Sequence, residues 1–310
     1  MASRSLLRQN AMKISSICLS MNHLQQRRLI LTALVAAPFA RRASAQDAPA
    51  PAEEVPYVQT PPLVVRRMLQ MAEVTAKDVL WDLGSGDGRI VIAAATQFGA
   101  RGVGYDIDPV LIRESRALAQ KAGVAARAKF MEKDLFALAF AEPSVVTLYL
   151  LPAFNMKLRP LLLSQMRPGS RVVSHEWDMG DWRPDETLLM PSPEKPHGTN
   201  REHKVMLWVI PASVAGTWRV ESTFAPTANG LAINIEQRFQ ELDATAANGK
   251  VLWMNLRGTT LSMAWTDGAS RWALRGEVAG NRWRGDAQRI GNWANTSNAP
   301  KVRFLAKRVI

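Results

Sequence analysis

Residues 79–95 read VLWDLGSGDGRIVIAAA: an apolar run, three glycines at alternate positions, then an apolar run with helical character. Such a segment turns a buried strand into a helix and lets the backbone approach a ligand, because glycine has no side chain to hold it away. The spacing narrows the ligand. A dinucleotide loop requires G-x-G-x-x-G, and the third glycine's place is taken by Arg89; a phosphate-binding Walker loop requires Gly-Lys-Ser/Thr, which is absent. NAD and ATP phosphates are therefore poor matches for this loop.

The surrounding pattern alternates helix and strand. Pro61-Pro62 opens a helix whose apolar face is Val64, Val65, Met68 and Leu69, running to Ala72. Strands are expected at 78–83, 101–108, 127–134, 144–150 and 170–177. The intervening helices end at Gly99, span Pro109–Ala122, and carry Phe154, Leu158, Leu161 and Leu162 on one face; Arg167-Pro168-Gly169 makes a turn. This order predicts an α/β fold with a Rossmann-like, doubly wound, mostly parallel sheet, closed by an antiparallel edge strand at 203–211. After Pro211 the texture changes to short alternating runs such as TWRVEST, LAINIEQRFQ, KVLWMNLRG, TLSMAWTD, RWALRGEV and NRWRGDAQ, spaced by Gly, Asn and Asp. These predict a small all-β antiparallel barrel or sandwich over 213–310.

The D-x-G-x-G-x-G arrangement from Asp82 to Gly88 resembles motif I of class I S-adenosylmethionine (SAM) methyltransferases. The resemblance covers roughly residues 57–212 and implies SAM as cofactor, cradled by Gly84, Ser85, Gly86, Asp87 and Gly88. It implies that Asp82 helps hold the methionine ammonium and that Asp106 binds the ribose hydroxyls. Asp134 then reaches the adenine amino group, with Phe136 as a wall beside the base. A carboxylate suits ribose because two adjacent O–H groups donate to it. With the preceding YVQTPPLVV, the segment looks most like the small protein-lysine methyltransferases of mitochondrial membrane proteins and their bacterial relatives. In that group the segment before motif I closes over the cofactor, which nominates Tyr57 and Thr60. The leader and the C-terminal β extension depart from the eukaryotic members, and both bear on whether the acceptor is a lysine.

The acceptor belongs at the carboxyl ends of the fourth and fifth strands. There Tyr149, His175, Glu176 and Asp178 are the polar candidates. His175 is a candidate general base or orienting group, and Glu176 a candidate holder of a cationic lysine; the plain alternative is a hydrogen-bonded strand-end histidine and a solvated acid. Nucleic-acid and glutamine amino-methyltransferases usually carry Asn/Asp-Pro-Pro-Tyr after strand four, where this chain has Leu150-Leu151-Pro152. No metal-ligand constellation stands out. The expected activity is in-line methyl transfer to a protein lysine; the alternatives are methylation of a small molecule at O or N, or a non-catalytic SAM-binding protein.

Residues 1–46 hold seven Lys/Arg and no acid. Arg27-Arg28, the apolar stretch Leu29–Ala40 and Ala43-Ser44-Ala45 read as a twin-arginine-like export signal over 1–45, with Met21 a candidate start; an organellar transit peptide or a cytoplasmic protein are the rivals. Because SAM is made in the cytoplasm, an exported copy would carry at most one bound cofactor. An Ala/Pro/acid linker follows at 46–56. The sole cysteine, Cys18, lies in the leader, so the rest of the chain has no disulfide and no thiolate chemistry. No apolar run is long enough for a transmembrane span. Residues 213–310 are basic and hold six of the ten tryptophans. Interleaved Trp and Arg there suit either an anionic surface or ligand, or a sheet with one buried and one solvated face.

Overall fold

A computed structural model describes residues 57–192, 201–221, 224, 228–291 and 299–309. The leader, the cleavage pattern, Cys18 and the 46–56 linker lie outside the described residues. Seven strands form one sheet: β1 (Val79–Leu83), β2 (Arg101–Asp106), β3 (Ala128–Glu132), β4 (Val145–Leu148), β5 (Arg171–His175), β6 (Glu186–Pro191) and β7 (Glu202–Val209). Their order is β3-β2-β1-β4-β5-β7-β6, parallel through β5 and antiparallel at β7 and β6. The order reverses between β1 and β4, the switch point where such sheets open a crevice.

Side chains alternate between the two faces of the central strands, both of which are buried, and so split the core in two. Leu80, Val145 and Val173 face one side, where α1 (Pro62–Met71), α2 (Arg89–Gln97) and α3 (Pro109–Lys121) pack. Trp81, Leu83, Val146, Leu148 and Val172 face the other, against α4 (Pro152–Gln165), Met179, Trp182 and Trp208. Local chemistry sets the helix starts: Pro62 and Pro109 stand in first turns, and the Asp108 carboxylate accepts the Val110 N–H at 2.7 Å.

The expected antiparallel strand at 203–211 is β7, but it is not the edge. β6 pairs outside it, from Glu186↔Leu207 to Pro191↔Glu202. An outer strand with little buried surface leaves no apolar alternation to read, and β6 is mostly exposed.

Eight further strands make the second sheet: β8 (Gly216–Glu221), β9 (Ala232–Arg238), β10 (Glu241–Ala246), β11 (Lys250–Arg257), β12 (Thr260–Thr266), β13 (Arg271–Ala279), β14 (Arg282–Ile290) and β15 (Val302–Arg308). The order β10-β9-β8-β15-β14-β13-β12-β11 is an up-and-down meander whose first and last strands pair, so the sheet curls into a nearly closed barrel with its seam between β10 and β11. Trp218, Trp265 and Trp283 are fully buried inside it, while Arg275, Arg282, Arg284 and Arg289 face out. These tryptophans and arginines thus divide into a core face and a solvated face, while Trp253 of β11 is exposed. No described helix is long and apolar enough to cross a membrane.

Candidate active site

The glycine loop leaves β1 at its carboxyl end, and its five N–H groups are all engaged by protein oxygens. Gly84 and Ser85 donate to the Tyr105 carbonyl at 2.9 and 3.0 Å, Gly86 to Asp106 Oδ2 at 2.8 Å, Asp87 to Tyr57 Oη at 3.3 Å, and Gly88 to the Ser85 carbonyl at 2.9 Å. A phosphate cradle needs N–H groups pointing at the ligand. This loop offers carboxylates instead. Its glycines are required by space as well as by turn: Gly86 has φ +52°, and a Cβ there would lie 2.4 Å from Tyr57 Cε2.

Asp82 is 2% exposed and accepts the Thr147 hydroxyl at 2.7 Å. Burial pushes its carboxyl up to about 7, against the Thr147 hydrogen bond and helped by the charges of Asp106 and Asp87. Burial also acts on Asp87, but the hydrogen bonds and charge of Arg89 overcome it and hold that carboxyl below its ordinary range. Arg89 grips Asp87 through Nε and through Nη2, the latter at 2.6 Å, and donates from Nη1 to the Thr60 carbonyl at 2.9 Å. It thereby straps the 57–60 segment across the loop.

Asp106 accepts the Gly86 and Asp108 N–H groups, one on each oxygen, and each oxygen keeps a second lone pair for a hydroxyl. Asp134 caps the short 3₁₀ turn after β3 by accepting the Phe136 N–H at 2.9 Å. Phe136 stacks on Phe154 with centroids 5.8 Å apart, and Lys157 Nζ lies 3.8 Å from its ring centre. Ser85 Oγ is buried with no partner among the described residues. A buried carboxylate of raised pKa, further carboxylates beside it and an orphan hydroxyl fit a cationic nucleoside without phosphates. SAM, with its sulfonium and ammonium, is that kind of ligand.

The acceptor-side candidates divide. Tyr149 follows β4, and its ring centre lies 4.2 Å from that of His175; burial, then the charge of Glu176, push its phenol up. His175 ends β5 and is fully buried, with Nδ1 3.3 Å from Thr60 Oγ1 and Nε2 3.0 Å from His203 Nδ1. Glu176 has φ +69°, and this turn brings Oε1 within 3.2 Å of His175 Nε2 and 3.1 Å of His203 Nδ1. Asp178 is exposed and spends its carboxylate on the Gly180 N–H.

Sequence reasoning missed three groups here. His203 comes from β7, whose apolar pattern advertises only a core strand. Arg89 registered only as a failed glycine. Asn155, fully buried in α4, donates to the Trp177 and Asp178 carbonyls at 3.1 and 3.2 Å and so holds the 176–182 loop.

Residues 82–186 match the family model described as the ANTKMT methyltransferase domain. A protein-lysine N-methyltransferase of Saccharolobus islandicus is 43% identical over 157 residues, covering 50% of this chain and 94% of that protein. The chain belongs to the SAM-dependent protein-lysine methyltransferase family. The adenine nucleotide translocase lysine N-methyltransferase of Mus musculus is 34% identical over 132 residues; this methyltransferase spans 57% of that relative's length, and the match covers 42% of this chain. Among solved structures, a protein of Salinibacter ruber described as an RNA methyltransferase, in complex with S-adenosyl-L-homocysteine, is 50% identical. It covers 51% of this chain and 96% of its own, with a TM-score of 0.46. The matches account for about half of the methyltransferase chain.

Proposed function

We propose that this methyltransferase moves the methyl group of SAM to the side-chain amine of a lysine on a protein. The loop carries the cofactor half of this reading: all five N–H groups are bound internally and Asp82, Asp87 and Asp106 surround it, a site for a cationic, phosphate-free nucleoside. The 43% identity to a protein-lysine enzyme over nearly its whole length supports the acceptor half. Leu150-Leu151-Pro152, in the place of Asn/Asp-Pro-Pro-Tyr, is consistent with an acceptor other than a nucleobase amine.

SAM supplies an electrophilic methyl on sulfur, displaced in line by the acceptor. The protein's part is alignment and exclusion of water. Tyr57, strapped by Arg89, covers the loop; Tyr149 and the exposed Trp177 flank the acceptor side, where an indole face suits a lysine stem or its ammonium. His175 and Glu176 act as positioning residues, because His175 is buried with each ring nitrogen facing another side chain. Turnover belongs where SAM is made, before any export.

Incubating the purified protein and cell lysate with tritiated-methyl SAM tests the reading. We expect label in protein, recovered as methyl-lysine after acid hydrolysis and lost with Asp82→Ala. Label confined to RNA or to small molecules overturns the lysine acceptor. Absence of SAM binding by calorimetry overturns the enzyme.

A further inference from the structure

We propose that His175, Glu176 and His203 form a binding site for one divalent transition-metal cation of the zinc, iron(II) or cobalt(II) class. The three candidate ligand atoms make a nearly equilateral triangle: His175 Nε2 to His203 Nδ1 is 3.0 Å, His203 Nδ1 to Glu176 Oε1 is 3.1 Å, and Glu176 Oε1 to His175 Nε2 is 3.2 Å. With metal–ligand bonds of about 2.0–2.1 Å, neighbouring ligand atoms stand roughly 2.9 Å apart in an octahedral set and roughly 3.4 Å apart in a tetrahedral one. The observed edges fall between these limits. A cation seated about 1 Å above the triangle's plane reaches all three atoms at such bond lengths.

With the carboxyl ionised, hydrogen bonding does not satisfy this triangle. With neutral imidazoles and an ionised carboxylate, Oε1 can only accept. If both nitrogens donate to it, two N–H groups confront each other across the 3.0 Å edge. If only one nitrogen carries a proton inside the triangle, the other nitrogen's lone pair faces Oε1. With the carboxylate ionised, one edge opposes like with like in every tautomer, whereas a cation satisfies all three.

The surroundings favour a fixed site. His175 and His203 are buried and come from paired strands, with His175 in register with Val205. Thr60 Oγ1 faces the far nitrogen of His175, the kind of contact behind a ligand that sets its tautomer. Two imidazole nitrogens are borderline donors beside one hard carboxylate oxygen, and the imidazoles select zinc-like ions over magnesium or calcium. Three protein ligands leave coordination open on the side away from the triangle. The proposal stands on this geometry and is independent of which acceptor is methylated.

The test uses the full chain, stripped with chelator, dialysed and titrated with Co²⁺. We expect one Co²⁺ per chain by elemental analysis, visible d–d absorption, and hyperfine-shifted N–H proton resonances from two imidazoles. His203→Gln and Glu176→Gln should each weaken Co²⁺ by more than the roughly 10–100-fold typical of losing a group that only supports a ligand, while SAM binding shows that the variant is folded. Wild type that binds no Co²⁺ or Zn²⁺ stoichiometrically overturns the site, as does a folded His203→Gln protein that binds as well as wild type. If both variants fail to fold, the wild-type resonances decide: ligation by fewer than two imidazoles overturns it.

Discussion

Asp82 is a buried carboxyl whose proposed contact with the cofactor would link the fold to its ligand. Its pKa of about 7 in the folded chain, against an ordinary value near 4, means that the folded state holds a proton the unfolded state has lost. Stability without cofactor therefore falls as pH rises from about 4 to about 7, by on the order of 4 kcal/mol, and levels off above. The proposed pairing with the cofactor's ammonium needs the ionised form, so cofactor affinity runs the other way. Calorimetry between about pH 5.5 and about pH 8 should show SAM binding tightening toward about pH 7 and flattening beyond it. Asp82→Asn should bind weakly at every pH and, because it cannot ionise, should show a smaller fall in melting temperature than wild type across the same range. Wild-type affinity that does not change across this range would remove Asp82 from the ammonium site.

At the scale of elements, the loop, the start of α2 and the 57–61 segment behave as one unit because Arg89 joins them. Its planar fork holds Asp87 while Nη1 holds the Thr60 carbonyl, a geometry that a single ammonium does not reproduce. Arg89→Lys keeps the charge and loses the fork. We expect SAM to bind roughly tenfold more weakly, about 1.4 kcal/mol, with a melting temperature within a few degrees of wild type; equal affinity would show that the strap does not serve the cofactor. The same elements show what the chain's pattern discloses. The loop, Asp82, Asp106 and the flanking strands were legible because a strand, alternate glycines and strand-end acids are local signals. Local signals also gave six of the barrel strands. Strands β10 and β15 were not singled out: β10 reads ELDATA with only partial burial, and β15 pairs with β8 from the far end of the domain. The role of Arg89 and the His175–Glu176–His203 cluster were hidden for a related reason. Each depends on residues 27 or more positions apart meeting across strands or segments, and no periodicity encodes that.

At the scale of the whole molecule, the barrel braces the acceptor-side loop. The β9–β10 turn places Phe239, at φ +57°, against Trp182 with ring centres 5.9 Å apart, and Gln240 Oε1 accepts the Trp182 indole N–H at 2.8 Å. Asp181, beside it, bridges Arg159 of α4 and Arg238 of β9. Arg257 of β11 pairs with Glu186 of β6 at 2.5 Å, so the outer strand of the first sheet is tied to the barrel as well. Trp182 is fully buried and belongs to the core face that α4 covers, so the barrel turn completes a hydrophobic layer that the methyltransferase sheet leaves open. The loop from Glu176 to Trp182, which carries the exposed Trp177, is thus held by α4 on one side and the barrel on the other. Phe239→Ala removes half-buried apolar contact worth about 2 kcal/mol without touching the glycine loop. Its expected signature is selective: a several-fold loss of kcat/KM for the protein acceptor, an unchanged Kd for SAM, and a single melting transition that broadens or splits. A variant with normal acceptor kinetics and one sharp transition would show that the barrel is carried by the fold without positioning its acceptor side.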